Sequence, residues 1–170
     1  MDAAVTVAQY AKMLENLDRW LETGVAFAEK KKFPPDVLVG SRLAPDQYEL
    51  TRQVQSACDA AKYAAAYLSG QTAPSHPDTE KTIAEVRARI ATCVEYLRSV
   101  PASQYAGAAE RRVAPAWLGG KWMRGDHYLT QISAPNFYFH VTTAYAILRH
   151  NGVELGKLDF VGAMPPLNDA

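Results

Sequence analysis

Three features of this 170-residue chain predict an all-α fold, an up-down four-helix bundle with a short β-hairpin before its last helix. Apolar residues recur at three- and four-residue intervals in four long runs, each bounded by proline, glycine or capping residues. Hydrophobic residues make up 48% of the chain and charged residues 21%, enough to bury a core without disulfide or metal staples. The run Ile132–Leu148 contains no Asp, Glu, Lys or Arg and is aromatic-rich, so it reads as the helix around which the others are arranged.

The elements follow in order, within one domain spanning 1–170. The first helix is expected over about 5–31, where Val7, Tyr10, Leu14, Leu17, Leu21 and Gly24 form one stripe and Met13, Trp20 and Phe27 a second. Lys30–Lys32 suits the negative end of its dipole and Pro34-Pro35 stops it. The second helix is expected over about 45–68, opened by Pro45 with Asp46 and Glu49 as a capping pair. Its buried face is dense in alanine, which lets another helix approach closely. The third is expected over about 78–99, with Ile83, Val86, Ile90 and Leu97 inward and Glu85, Arg87, Arg89 and Glu95 on a solvated face.

Gly119-Gly120 between two short apolar runs predicts a hairpin over about 111–124, with Trp117 and Trp122 beside the turn. Asp126 then opens the fourth helix, about 126–151, which Pro135 should kink or interrupt and Gly152 should end. The tail, 153–170, is expected to lie extended across the bundle.

Eighteen basic and eighteen acidic residues cancel, and a pI near 6.9 argues against nucleic acid or an anionic membrane as partner. It also leaves little repulsion between copies, and with the alanine-rich helix it predicts a homodimer. No secretory leader and no membrane span is read, so a cytoplasmic protein is expected. Cys58 and Cys93 fall on helical apolar faces and read as buried free thiols.

Asn136 and His140 lie four residues apart, on one face of the apolar helix. A buried polar side chain left unpaired costs about 1–3 kcal/mol. His140 is therefore either a core histidine bonded to Asn136 or a second-helix glutamine, or an acid/base or ligand anchor in an inter-helix pocket. Asn136 would satisfy backbone groups freed by Pro135 or face the same pocket. Gln53 borders the second helix's buried stripe, Arg52 suits an anionic group, Tyr10 can present its hydroxyl to a cavity, and Trp117 and Trp122 can roof one. No nucleophile-elbow, phosphate-binding or dinucleotide motif is present.

Asn136–Val153, Arg42–Asp46 and Leu50–Gln55 resemble the signatures of a bacterial and fungal family of unknown function within the DinB/YfiT-like four-helix-bundle superfamily. The likeness extends from Tyr10 to Phe160 and implies the fold more than any chemistry. Many members of that superfamily resemble metalloenzymes that hold zinc or nickel with three histidines, one from the second helix and two in an H-x3-H pair on the last. Some act as thiol-dependent transferases or isomerases.

This chain departs from that pattern. Residues 45–68 contain no histidine, and His140 has Asn136 and Ala144 at its flanking positions. No metal or other cofactor is expected; Asn136, His140, Gln53 and Asp59 would make only a weak oxygen/nitrogen site. The expected function is binding or acting on a small organic molecule near His140 without metal. One alternative is a structural or interaction dimer with no catalytic role and no cavity beyond a water or two beside His140. The other is a divergent metal- or thiol-dependent transferase.

Overall fold

The computed structural model describes residues 1–165. Four long helices form the bundle: α1 (Ala3–Lys31), α2 (Leu50–Ser69), α3 (Ile83–Ser99) and α4. The last is one continuous rod in three parts: an opening turn Gly125–His127, a π-helical segment Tyr128–Ser133, and an α-helix Ala134–His150. The helices surround a core in which Tyr10, Leu14, Trp20, Phe137 and Leu148 are almost wholly enclosed.

The all-α bundle stands, but the helices do not simply alternate in direction. Gln55 meets Glu80, Asp59 meets Arg89 and Gln71 meets Tyr96, so α2 and α3 run the same way. Tyr10 stacks on Phe137 and Trp20 meets Tyr145 edge-on, so α1 and α4 also run the same way. The connection 70–82 is long enough to return along the bundle before α3 begins, as crossover connections do in other bundles.

Two helix starts differ from expectation. Leu50 opens α2, five residues after Pro45; Glu49 pairs with Arg42 at 2.9 Å and forms no capping pair with Asp46, and the Leu50 N–H bonds the Ser41 carbonyl. Ile83 opens α3, five residues after Asp78, whose carboxylate faces Arg52 and Arg89 instead. Thr82 and Glu85 make the true capping box, and Asp36 accepts from the Ile83 N–H at 2.8 Å.

Two-residue strands β1 (Arg112–Val113) and β2 (Met123–Arg124) pair antiparallel, Arg112 opposite Arg124. The predicted hairpin is thus present, but its tip is a wide loop with a 3₁₀ turn at Ala116–Leu118. Pro115 has no N–H to donate and cannot extend the ladder. Gly119 and Gly120 take left-handed φ of 58° and 86°, which glycine adopts without steric cost. At the hairpin's exit, a Cβ on Gly125 would lie 1.9 Å from the Ala108 carbonyl oxygen, so only glycine permits α4 to start there.

The tail is not extended throughout. Lys157–Val161 forms a short helix, α5, whose Phe160 stacks on Trp20 with ring centroids 5.4 Å apart. Trp20 Nε1 donates to the Asp159 carbonyl and Asn16 Nδ2 to that of Phe160. The part of the expected tail over 166–170 lies outside the described residues.

Candidate functional site

On α2, Arg52, Ser56, Asp59, Tyr63 and Tyr67 step by three and four residues along one edge beside the alanine stripe. They form one wall of a cleft of about 550 Å³. Tyr128, Ile132, Ser133, Asn136 and His140 of α4 form the other wall, with Trp117 of the hairpin tip and Tyr48 at its margins. Because α2 and α4 run antiparallel, Tyr67 meets Tyr128 edge-on at one end while Gln53 meets His140 at the other.

The π-helical segment sets the α4 wall. Pro135 cannot donate to the carbonyl four residues before it, and its ring crowds that carbonyl. The helix widens rather than breaking: the Ala134 N–H bonds the Leu129 carbonyl five residues back, and α-helix resumes with proline in its first turn. The widening brings Ile132 and Ser133 to the cleft. Such π segments recur at functional sites. Asn136, just beyond, is exposed and lines the cleft; its side chain makes no hydrogen bond among the described residues, so it does not repair the backbone around Pro135.

His140 is 8% exposed, and its Nδ1 lies 2.8 Å from Gln53 Oε1. The Gln53 amide is itself held, because its Nε2 donates to the Tyr48 carbonyl at 3.1 Å. Its oxygen must therefore accept, so His140 Nδ1 carries the proton and Nε2 keeps a free lone pair. Burial, with the nearby Arg52 charge, lowers the pKa of His140, so the ring is neutral at pH 7. The cleft then holds a positioned, unprotonated imidazole nitrogen that can accept a hydrogen bond or a proton.

Behind α2 lies a buried ionic network. Asp59 Oδ1 accepts from Lys62 Nζ at 2.8 Å and Arg89 Nη2 at 2.7 Å. The Arg89 side chain is 3% exposed and also faces Glu80 at 3.4 Å and Asp78 at 3.6 Å. Arg89 is therefore not on a solvated face, as the helical spacing predicts, but ties α3 to α2 and to the 70–82 connection. Arg52 bonds Asp78 and Gln55, and the Asp78 bond is the main cause of its raised pKa. Asp59 Oδ2 has no hydrogen-bond partner among the described residues.

Of the six residues singled out in the sequence, the cleft collects three: His140, Asn136 and Arg52. Gln53 is wholly buried and acts from behind by orienting His140. Tyr10 does not present its hydroxyl to the cleft. It is buried against Phe137 with its hydroxyl 3.2 Å from Ser133 Oγ, and burial pushes its pKa up to about 12. Trp122 does not roof the cleft; it carries the Arg112 guanidinium 5.2 Å above its ring, and Trp117 takes that place.

The sequence reading missed Ser56, Tyr63, Tyr67, Tyr128 and Ser133. The first three continue the Arg52 stripe at helical spacing, a signal that was present. Ser133 could not be placed without knowing of the π segment.

The three-histidine donor set does not fit here. The cleft offers one imidazole and one carboxylate, and that carboxylate already pairs with Lys62 and Arg89. Among the described residues no group of three or more His, Cys, Asp or Glu is placed to hold a metal ion. Cys58 and Cys93 are buried free thiols on neighbouring helices; the Cys58 pKa is raised well above the ordinary range by its hydrogen bond with Cys93 and by burial.

A helical bundle with a small hairpin before its last helix and a cleft at the α2–α4 seam defines a DinB-like protein. A DinB family member from Shewanella denitrificans, solved by crystallography, is 49% identical, with a TM-score of 0.91 over 96% of this chain and 93% of that one. Residues 3–161 match the family described as Domain of unknown function (DUF1993), and the chain belongs to it. No curated protein matches it. Among the described residues no helix is long and apolar enough to cross a membrane.

Proposed function

We propose that the α2–α4 cleft binds a small organic molecule with an aromatic or planar body and a hydrogen-bond donor, without a metal. The observation that carries this reading is the fixed tautomer of His140, whose Nε2 lone pair is held ready by the Gln53 amide, itself anchored on the Tyr48 carbonyl. The surroundings agree with it. Tyr63, Tyr67, Tyr128 and Trp117 give the cleft an aromatic lining suited to a flat ligand, and Asp59 Oδ2 offers a second acceptor. A neutral imidazole and ion-paired Arg52 and Asp59 favour an uncharged donor such as a phenol or an anilide. The same lone pair would serve as a general base if the bound molecule reacts.

An open cleft of about 550 Å³ with His140 in its wall supports this reading over a purely structural role for His140. The divergent transferase is the second reading, and the donor set argues against its metal form.

Native mass spectrometry of untagged protein, purified without a metal column, tests the proposal. The expected result is a retained organic mass in the wild type that is lost in His140→Ala. Stoichiometric metal would favour the transferase. A bare mass, together with unchanged Trp117 fluorescence on titration with simple phenols and anilides, would overturn the proposal.

A further inference from the structure

The outer face of α4 is unlike that of an ordinary surface helix. From Tyr128 to Leu148 the chain carries no Asp, Glu, Lys or Arg, yet Gln131, Ile132, Pro135, Asn136, Phe139 and Thr142 are exposed. Exposed surfaces of this kind are normally charged, and a contiguous apolar patch marks an interface. Phe139 is 56% exposed and Ile132 37%. Around the same cleft mouth stand Trp117 at 64%, Tyr48 at 55% and Tyr63 at 38%.

One ground for self-association expected from the sequence, the alanine-rich helix, does not hold. Ala57, Ala61, Ala64 and Ala65 are fully covered within the bundle itself, so the alanine stripe is not free to meet another chain. The cleft mouth supplies a different one. A large aromatic or aliphatic side chain carries about 150–250 Å² of surface, so these four aromatic residues and Ile132 leave on the order of 500 Å² at the mouth. A standard interface buries about 800 Å² per partner, roughly 56–65% of it apolar. The ring therefore matches the apolar share of one side of a stable dimer.

A two-fold contact also sets each patch against its own copy, so any unpaired charge on it would meet a like charge. Here Arg52 is paired with Asp78, Asp59 with Lys62 and Arg89, and His140 is neutral.

We infer that a second copy of this chain packs its Ile132–Phe139 face over the cleft mouth, so that the partner's Phe139 forms the wall that one chain leaves open. The contact is read from the surface alone; its role as a lid rests on the ligand reading above. The site is then incomplete in a monomer.

Size exclusion with light scattering at tens of micromolar, on the untagged full chain, is expected to give a dimer. Phe139→Glu, at an exposed position, is expected to give a monomer with unchanged helical circular dichroism. If that variant fails to fold, Ile132→Lys makes the same test. Ala91→Glu, on the exposed side of α3, is expected to remain dimeric. In a Trp122→Phe background, acrylamide quenching is expected to be several-fold weaker in the dimer than with Phe139→Glu added, because Trp117 is then the exposed tryptophan and Trp20 is buried.

A monomeric wild type, or a dimer broken by Ala91→Glu and not by Phe139→Glu, overturns the inference. A dimer with shielded Trp117 but no retained organic mass upholds the contact and fails the ligand reading, so the two failures are distinguishable.

Discussion

The two sides of this bundle solve the same problem differently. On the α1–α3 side an apolar floor of Ile90 and Val94 is rimmed by charges that pair across the helices. Asp18 takes a bidentate contact from Arg87 at 2.7 and 3.0 Å, and Glu15 pairs with Arg98. On the α2–α4 side the exposed stripe of α4 has no charge at all, and the cleft-lining charges of α2, Arg52 and Asp59, are paired within α2 and with α3 and the 70–82 connection. A solvated seam disperses its charge outward. The cleft side instead uses charge as internal scaffolding and leaves aromatic and neutral polar groups at the surface. That difference, more than any single residue, points to the α2–α4 side as the working face.

Taking a charge out of the scaffold should cost the fold most. Arg89→Met leaves Asp59, Asp78 and Glu80 facing one another with only Arg52 and Lys62 to balance them. Removing one partner of a buried ionic group costs about 3–5 kcal/mol. Asp59 and Asp78 are 28% and 33% exposed, which places the loss near the lower end, about 3 kcal/mol, in urea unfolding. A loss under about 1 kcal/mol would class Arg89 with ordinary surface pairs.

Gln53→Leu comes next. It keeps the side-chain volume but leaves the His140 Nδ1–H and the Tyr48 carbonyl without their partner. About 1–3 kcal/mol of stability should go, and any retained ligand should be lost as it is in His140→Ala. A variant that loses stability and retains ligand would show that the imidazole needs no second residue to orient it.

How much of this the sequence disclosed depends on the kind of signal. Helix faces were legible because burial imposes a period: Tyr10, Leu14, Leu17 and Leu21 are on their expected face and are fully buried. Helix starts were less so. Pro45 and Asp78 look like openings, but their neighbours' side chains are claimed by Arg42, Arg52 and Arg89, and no local pattern announces a distant claim. Thr82-x-x-Glu85 was a readable cap that the nearer Asp78 obscured. Within the site, the four-residue spacing of Asn136 and His140 placed both at the seam, but not which of them is buried. Trp117 and Trp122 flank the same turn, and only the wide hairpin tip decides which faces the cleft.

One group of the cleft makes stability depend on pH. His140 has a folded-state pKa below its ordinary value of about 6.5, with burial as the main cause and the Arg52 charge adding to it. The unfolded chain therefore binds this proton more readily. Stability is fully present above about pH 6.5 and declines as pH falls from there toward the folded-state pKa, with no further loss from this group below it. His76, also held low chiefly by burial, acts in the same direction, so the readout is a difference between proteins. His140→Gln should melt with a shallower slope between pH 7 and pH 5 than the wild type. Parallel slopes would mean that the cleft solvates the imidazolium.

The smallest effect is expected where the charges face water. Asp18→Asn removes the carboxylate that Arg87 grips, with Asp18 31% and Arg87 32% exposed. Exposed pairs contribute about 0.2–1 kcal/mol, and the bidentate geometry places this one in the upper half of that range. Screening is the discriminating measurement, since the Debye length falls to about 3 Å at 1 M salt. Wild type and Asp18→Asn should converge in stability as salt rises, whereas wild type and Arg89→Met should stay apart, because ions reach both partners of the Arg87–Asp18 pair but not Arg89, whose side chain is 3% exposed. Convergence of both pairs would erase the distinction between the two sides; convergence of the first alone would locate it in solvent access rather than in the number of ion pairs.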